Sequence, residues 1–414
     1  MAAVAAAFVF WSSSKDEIQV PAWTTTQCYK QNPEIEKTLR SISAEQPKNF
    51  IAMNDLIMHL VSIAKRNQSD ELVEEIFSLI ETSKKILTSA ADNKPPYMAE
   101  AQMLSYQHRF QESADKLLIL LKANGSDSSV MRALTWNALA KKDIETTYKY
   151  LPEVSLKPDI ETYLLYAKLM FLKSNRDEFQ FYINKVFAVE NGQTCFESLE
   201  ARMLVARYGL ETMSASVVRA ALESAALING DDPRVYLMMA RLASDNGHYS
   251  EALEALEAGM KKQPLPKYLT EMAKIEILRG HQAEAQSYLD QSILVLEDSL
   301  KKNAGHRLEL AEALVLKNTE TSVNRAVALL ADELALRSSN EIYYWMSLAR
   351  ALQKDSIYGL KALQPVLDQE FSTALPALFK LLKDRQKLEK IFLNRSLSVP
   401  LPAELLLLNQ SKTI

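Results

Sequence analysis

The chain has 414 residues, of which 48% are hydrophobic and 24% charged, and its formal net charge is −4. This balance is typical of a soluble protein with an apolar core, and it argues against a disordered chain and against bulk affinity for nucleic acid. With only 9 glycines, glycine-lined cofactor sites are not expected, and the composition indicates helix nearly throughout. The two cysteines, Cys28 and Cys195, are too few for a disulfide framework or a structural zinc site, although one bond between them is allowed.

The first 33 residues are predicted to hold an apolar segment and a linker. Residues 2–11 form an apolar run of ten, which is shorter than the about 20 residues of a spanning helix and lacks the basic start of a signal peptide. Two interpretations are open: a membrane anchor or degenerate export signal, and a short docking helix. The mixed-charge flank of Lys15, Asp16 and Glu17 is unlike a cytoplasmic basic cluster. We therefore favour membrane association through residues 2–11, with the chain exported into a bacterial envelope, over the cytoplasm.

Residues 34–95 are predicted to form N-terminal helices. Apolar residues recur at helical spacing over 34–43, 49–65 and 69–87. No repeat register is clear in this region, so it is treated as separate from the array that follows.

Residues 96–370 are predicted to be an array built from one helical hairpin. The hairpin is clearest where six positions recur with an offset of 33 residues: Tyr236 as Leu269, Met239 as Met272, Ala240 as Ala273, Gly247 as Gly280, Ala252 as Ala285 and Leu256 as Leu289. Ala240 and Ala252 are expected where two antiparallel helices cross, because a methyl side chain lets helix axes approach to roughly 8–10 Å. Gly247 is expected to take a positive φ in the turn, and Pro264 to end the second helix.

The order of Tyr236, Met239, Ala240 and Ala243, then Gly247 and Tyr249, then Ala252, Leu256 and Pro264 resembles the tetratricopeptide repeat (TPR) pattern, most strongly over residues 233–297. This resemblance implies an all-α fold, a right-handed α-solenoid of TPR-like helical hairpins. Its structural repeat markers are Ala240, Gly247, Ala252, Pro264, Ala273, Gly280 and Ala285. A small residue marks the first helix of eight predicted units, some of them degenerate: Ala101, Ala138, Ala167, Ala206, Ala240, Ala273, Ala313 and Ala349.

Residues 371–414 are predicted to be a C-terminal capping helix and a tail. The stretch 372–394 is amphipathic, as expected for a helix that covers the last apolar face of an array, and Pro400 and Pro402 end it. The apolar tetrad 405–408 either docks on this cap or binds a partner.

No catalytic or cofactor motif is present in the sequence. The five histidines are scattered without metal-ligand spacing, and there is no phosphate-binding glycine loop, nucleophile elbow or paired cysteine and histidine. We therefore predict a protein that is not an enzyme, with no metal, no cofactor and no small-molecule substrate.

The resemblance implies that the first helix of each hairpin lines the concave wall. Positions six and three residues before the marker alanine, and the position after it, are expected to face inward. In the last four units these positions are Arg234, Leu237, Arg241, Lys267, Thr270, Lys274, Arg307, Leu310, Leu314, Tyr343, Met346 and Arg350. Six of the twelve are basic, which suits an acidic protein or peptide partner, although lysine and arginine also serve to solvate helix faces.

The function predicted from these features is a non-enzymatic protein–protein interaction scaffold or adaptor that binds its partner on the concave face, anchored in a bacterial envelope assembly. The alternative is a sensory or regulatory repeat domain of a membrane-bound transcriptional regulator. An in-frame winged-helix sequence upstream of Met1 would distinguish the regulator from the scaffold.

Overall fold

The computed structural model describes residues 18–23 and 33–353, apart from positions 68–69, 88–93, 126, 155–157, 192–193, 213 and 338. These residues form helices joined by short turns, with a 3₁₀ turn at Ala304–His306 and no strand among them. The α-helices are α1 (Pro33–Glu45), α2 (Phe50–Asn67), α3 (Glu71–Ile86), α4 (Lys94–Tyr106), α5 (Phe110–Asn124), α6 (Ser128–Lys141), α7 (Ile144–Val154), α8 (Ile160–Leu172), α9 (Arg176–Val189), α10 (Cys195–Glu211), α11 (Ala215–Ile228), α12 (Pro233–Asp245), α13 (Tyr249–Lys262), α14 (Pro266–Arg279), α15 (Gln282–Lys302), α16 (Arg307–Lys317), α17 (Glu320–Leu336) and α18 (Asn340–Leu352).

Consecutive helices pack in pairs to build a solenoid. Each even-numbered helix from α2 to α16 packs along the helix that follows it, and each pair also contacts the next pair. The chain is thus a right-handed α-solenoid of TPR-like hairpins, as predicted. The even-numbered helices form its inner face and the odd-numbered helices from α3 onward its outer face.

The eight marker alanines all lie in first helices of this series, and none is more than 3% exposed. The turn glycines have the expected conformation, since φ is 78° at Gly247 and 81° at Gly280. The helix α13 ends at Lys262, two residues before Pro264. The marker alanines are therefore buried within the first helices, where small side chains are expected at helix crossings.

One hairpin precedes the eight that the sequence indicated. Helices α2 and α3 pack on each other and on α4 through a core that includes Leu60, Ile76 and Ile80, each 0% exposed. No repeat register is clear from the sequence of this region, so this hairpin lies outside the predicted array.

Residues 18–23 are an extended segment that docks far along the chain. Ile18 and Trp23 are buried, and the backbone carbonyl of Pro21 accepts hydrogen bonds from Arg202 of α10 and Ser224 of α11, each at 2.9 Å. The segment thereby ties the N-terminus to the middle of the solenoid.

Several predicted features lie outside the described residues: the apolar run 2–11, Cys28, the capping helix 372–394 and the apolar tetrad 405–408. Cys195, the first residue of α10, is disulfide-bonded. In the part of the chain that the structure describes, no helix combines the length and the apolar character needed to cross a membrane.

Candidate functional site

Ion pairs between neighbouring first helices cover the middle of the inner face. The carboxylate of Glu200 on α10 accepts hydrogen bonds from Lys168 of α8 at 2.8 Å and from Arg234 of α12 at 2.5 Å. Burial would raise the pKa of Glu200, but the two cations outweigh it and the pKa lies far below its usual value. Arg132 of α6 pairs in the same way with Glu161 of α8 at 3.3 Å. Ion pairs on the inner face therefore join the first helices of neighbouring hairpins.

A second cluster joins α14 to α16. Glu312 lies between Lys267 and Lys274, and its side chain is only 2% exposed. Glu271 pairs with the same two lysines, at 3.3 Å and 2.9 Å. Burial would raise the pKa of Glu271, but Lys274 and Lys267 lower it to about 2. Burial likewise opposes protonation of Lys267, yet the carboxylate of Glu312 holds its pKa above the usual value.

The other predicted inner-face residues differ in how far solvent reaches them. Arg241 has a side chain 47% exposed and pairs with Glu211 at 3.5 Å. Arg307 lies 3.9 Å from Glu333, and Arg350 donates to Gln353 at 3.1 Å. Leu237 and Tyr343 are half-buried. The remaining four are within the core at 8% exposure or less: Thr270, Leu310, Leu314 and Met346.

These contacts show what the sequence analysis missed. Glu161 and Glu200 occupy the position six residues before their marker alanines, the same position that Arg234 and Lys267 hold in later units. Applying the offset to every unit, rather than to the last four, would have found the carboxylates that neutralise the basic residues. The inner face is a mixed-charge surface in which the predicted cations at 234, 267 and 274 are already paired.

A central cavity of about 970 Å³ lies on the inner face. Its wall comes from the first helices of six consecutive hairpins, from α2 to α12, with a smaller contribution from α5. The lining includes Met58, Lys65, Met98, Tyr106, Arg132, Trp136, Asn137, Phe196, Glu200 and Arg234. Apolar side chains thus share this space with a few charged and polar groups.

One side of the solenoid is closed by a polar contact that we call the clasp, formed by Asp70, Tyr106, Asn303 and His306. Asp70 Oδ2 is 2.6 Å from His306 Nε2, and Asp70 Oδ1 accepts from Asn303 Nδ2 at 2.9 Å and from the Tyr106 hydroxyl at 3.2 Å. Asp70 and His306 are 236 residues apart in the chain. An early hairpin of the solenoid therefore contacts a late one through these side chains.

A second contact supports the clasp beside it. His108 Nδ1 lies 2.6 Å from Glu333 Oε1, and Arg337 Nε donates to the same carboxylate at 2.7 Å. Glu333 is 0% exposed. Burial would raise the pKa of Glu333, but His108 and Arg337 lower it below its usual value.

The clasp keeps His306 protonated at neutral pH. Burial alone would lower the pKa of His306, but its contacts with Asp70 and with Glu309, 2.9 Å from Nδ1, raise it to about 10. Protonated His306 therefore stabilises the folded chain. This contribution is complete at pH values below the pKa of histidine in the unfolded chain, about 6.5, and it is lost as pH rises through the folded pKa of about 10. For Asp70 the opposite holds. Burial would raise its pKa, but His306 outweighs burial and the pKa is lowered, so the stabilisation is present above the unfolded pKa and is lost as pH falls through the folded pKa.

Replacing Asp70 by asparagine is expected to lower the pKa of His306 markedly from about 10, because the imidazolium loses its buried anionic partner and keeps only Glu309. We also expect a loss of roughly 1–3 kcal/mol in the free energy of unfolding at pH 7. The pKa is measured by NMR titration of the imidazole resonances and the stability by urea unfolding. Asp298→Asn, at an exposed position on α15, is the matched control. An unchanged His306 pKa would contradict the clasp geometry.

Comparisons with known proteins identify the fold. No family model matches the sequence, and no curated protein sequence matches it significantly. Among solved structures, the APC/C hetero-tetramer Cut9–Hcn1 is similar with a TM-score of 0.52 and 14% identity over 85% of this chain and 66% of that chain. Yeast Tom70 aligns with a TM-score of 0.44 and 12% identity over 87% of this chain and 88% of that chain. Human IFIT1, solved as a dimer with m7Gppp-AAAA, aligns with a TM-score of 0.46 and 12% identity over 81% and 86%. The similarity to Cut9–Hcn1, whose TM-score exceeds 0.5, together with the packed helical hairpins, shows that the fold of this chain is of the TPR type.

The described residues contain no group of three or more potential metal ligands.

Proposed function

We propose that this α-solenoid is a non-enzymatic scaffold or adaptor that binds a segment of a partner protein along its inner face. The observation that carries the proposal is that three of the first helices place solvent-accessible side chains at the predicted inward positions. Arg241, Arg307 and Tyr343 occupy inward positions of three different units and are exposed or half-buried. Repeated positions of this kind suit an extended or helical chain that runs across several hairpins.

The clasp restricts the shape of the partner. Because the superhelix touches itself between Asp70 and His306, a folded domain does not reach the inner face from that side. A single helix or an extended strand of about 10 Å diameter enters the lumen from its end, where α14 to α18 present their inner residues. The partner is therefore a segment, and its charges complement Arg241 and Arg350. The side chain of Arg241 is 47% exposed, whereas those of Lys267 and Lys274 are 21% and 16% exposed.

We place this scaffold in a bacterial envelope, attached through residues 2–11. The apolar run supports attachment. The disulfide at Cys195 supports an exported location, since such bonds persist in oxidising compartments and are rare in the cytosol. Fractionation of native cells, followed by alkylation of free thiols, tests both points. Recovery of reduced protein in the soluble cytosolic fraction would overturn the envelope location.

The scaffold function is tested by site-specific photo-crosslinking in native cells. A photoreactive phenylalanine analogue is introduced at Arg241 or Tyr343 on the inner face. The matched controls carry it at Glu257 of α13 or at Leu294 of α15, which is 72% exposed on the outer face. We expect one protein to crosslink at both inner positions and at neither outer position.

The captured protein is then purified and its binding to the purified chain measured. Arg241→Glu should weaken that binding, and because Arg241 is a surface ion pair, the substitution should change the unfolding free energy by about 1 kcal/mol or less. Crosslinks only from the outer positions, or binding that Arg241→Glu leaves unchanged, would refute the inner face as the binding surface.

A second candidate function, the sensory or regulatory domain, is favoured by a different observation. A cavity of about 970 Å³ is at the upper end of the range for small-ligand sites, roughly 300–1,000 Å³. A scaffold does not need such a cavity, whereas a ligand-responsive domain does.

A further inference from the structure

Four aromatic side chains form a patch on the outer helices α7 and α9 and on α8 beside them. We call Tyr148, Tyr166, Phe181 and Tyr182 the aromatic patch. Tyr148 is 42% exposed and Phe181 is 53% exposed. The rings of Tyr166 and Tyr182 stack with their centroids 4.8 Å apart, and Phe181 meets Tyr182 edge-on at 5.2 Å. A contiguous exposed apolar surface marks an interaction site more often than a single exposed side chain does.

Contacts within the aromatic patch hold its rings in place. The ammonium group of Lys173, the residue that follows α8, donates to the Tyr148 hydroxyl at 2.6 Å and lies 5.1 Å from the centroid of the Tyr148 ring. Burial raises the pKa of Tyr182, and Tyr166, Glu178 and Tyr148 raise it further, as expected where these side chains are neighbours. Aromatic side chains held in this way lose little conformational freedom when a partner binds.

Three exposed lysines accompany the aromatic patch, and none forms an ion pair with a carboxylate of the described residues: Lys149, Lys173 and Lys185. The ammonium group of Lys185 lies 5.3 Å from the centroid of the Phe181 ring, and that of Lys149 lies 5.2 Å from the centroid of the Tyr150 ring. The inner face differs in this respect, because its buried cations are matched by carboxylates. The outer lysines are therefore available to anions from outside the chain.

The acidic residues of the same helices do not neutralise these lysines. Glu145 of α7 and Glu178 of α9 lie about one helical turn before the aromatic patch, and Glu178 accepts a hydrogen bond from Asn175 at 3.0 Å. Arg176 and Asp177 at the start of α9 carry opposite charges and both act on Tyr208 of α10. The surroundings of the aromatic patch are thus slightly positive, in a chain whose formal net charge is −4.

We propose that the aromatic patch binds an acidic segment of a partner protein that carries an apolar side chain between its carboxylates. The apolar side chain packs on Tyr148 and Phe181, and the carboxylates pair with Lys173 and Lys185. Burial of the apolar group supplies affinity, and the lysines select for negative charge. This surface goes beyond the inner-face scaffold function and does not depend on it.

Single-stranded nucleic acid also combines negative charge with groups that stack on aromatic rings. Two observations favour the acidic protein segment. Lys173 and Lys185 lie over the rings of Tyr148 and Phe181, where a base would stack. The net charge of −4 provides no general attraction for a polyanion.

The partner chemistry is tested by fluorescence anisotropy of the full chain with short synthetic probes. One labelled peptide alternates glutamate with leucine and phenylalanine; matched peptides replace either its acidic residues by lysine or its apolar residues by serine. Labelled oligouridine is the nucleic-acid probe. We expect the acidic apolar peptide to bind at least about tenfold more tightly than each of the others, a difference of about 1.4 kcal/mol. Equal affinity for the acidic and basic peptides, binding of no peptide, or tighter binding of oligouridine would overturn the proposal.

The location of this site is tested with substitutions at exposed positions. Phe181→Ala, and Lys173→Glu combined with Lys185→Glu, should each weaken binding of the acidic apolar peptide about tenfold or more, since one removes the apolar contact and the other reverses the charge. Leu294→Ala on α15 and Lys261→Glu on α13 are the matched controls at exposed outer positions and should bind as the wild type does. Circular dichroism verifies that each variant is folded.

Arg241→Glu separates this surface from the inner face. Because Arg241 lies on α12 among the inward positions, its reversal should leave binding of the acidic apolar peptide unchanged. Peptide binding that is lost in Arg241→Glu and retained in Phe181→Ala would place the peptide on the inner face and overturn the proposal. Binding lost only in the aromatic-patch variants would support it, whatever the outcome of the crosslinking at the inner face.

Discussion

Replacing Glu312 by alanine is expected to lower the free energy of unfolding by about 3–5 kcal/mol, because it removes the anion that separates two inner-face lysines. Glu312 is nearly inaccessible to solvent and contacts both Lys267 and Lys274, whose side chains are 21% and 16% exposed. Without it, Glu271 is the carboxylate that contacts both ammonium groups, and Glu341 acts on Lys267 without a direct ion pair. A charge left without its partner in a buried site costs several kcal/mol. Urea unfolding followed by circular dichroism measures the change.

The control for this experiment is Glu257→Ala, at an exposed position on the outer helix α13, which should change the unfolding free energy by no more than about 0.5 kcal/mol. A second comparison separates the buried charge from packing. Glu312→Met combined with Lys274→Met removes one charge of each sign and keeps the volume, so it should recover much of the lost stability. A Glu312→Ala loss equal to that of Glu257→Ala would show that the cluster is not a structural element of the inner face.

The sequence was sufficient to predict the solenoid because its signals are local. Ala240 and Ala273 mark helix crossings and Gly247 marks a turn, and each acts within a single hairpin of about 34 residues. The same local register places Arg241 and Lys274 on the inner face. The position of a residue within its hairpin predicts the face of the solenoid on which its side chain lies. It does not predict which residue of a neighbouring hairpin that side chain contacts. Lys267 and Lys274 therefore looked like a basic groove, although Glu312 lies between them.

The clasp and the cavity could not be derived from local spacing. Asp70 meets His306 because the stacking of many hairpins brings two distant parts of the chain together. Each small rotation between hairpins depends on variable loops, so their sum over more than 200 residues is not readable from the sequence. His306 consequently appears in the sequence as one of five scattered histidines.

Replacing Arg202 by methionine is expected to destabilise the chain by about 3–5 kcal/mol and to release residues 18–23 from the solenoid. Arg202 is 0% exposed, and all five of its N–H groups donate hydrogen bonds. Two go to the carboxylate of Glu190, at 2.7 and 3.0 Å, and one goes to Ser224 Oγ at 2.6 Å. The other two go to backbone carbonyls, that of Ser198 at 3.1 Å and that of Pro21 at 2.9 Å. Its guanidinium group also lies over aromatic rings, 5.4 Å from the centroid of Trp23 and 5.1 Å from that of Phe187. Methionine keeps much of the volume but leaves the carboxylate of Glu190 without its cation.

Lysine at position 202 should be only a partial replacement, because a single ammonium group cannot span Glu190, Ser224 and Pro21 in the way that a planar guanidinium group does. Two measurements are needed: urea unfolding for the stability, and hydrogen exchange of residues 18–23 for the docking. Arg219→Met, at an exposed position on α11, should change neither. If Arg202→Met lost stability while residues 18–23 kept their protection, the segment would be held by its buried Ile18 and Trp23 alone. The hydrogen bonds of Arg202 would then serve only to join α10 to its neighbouring helices.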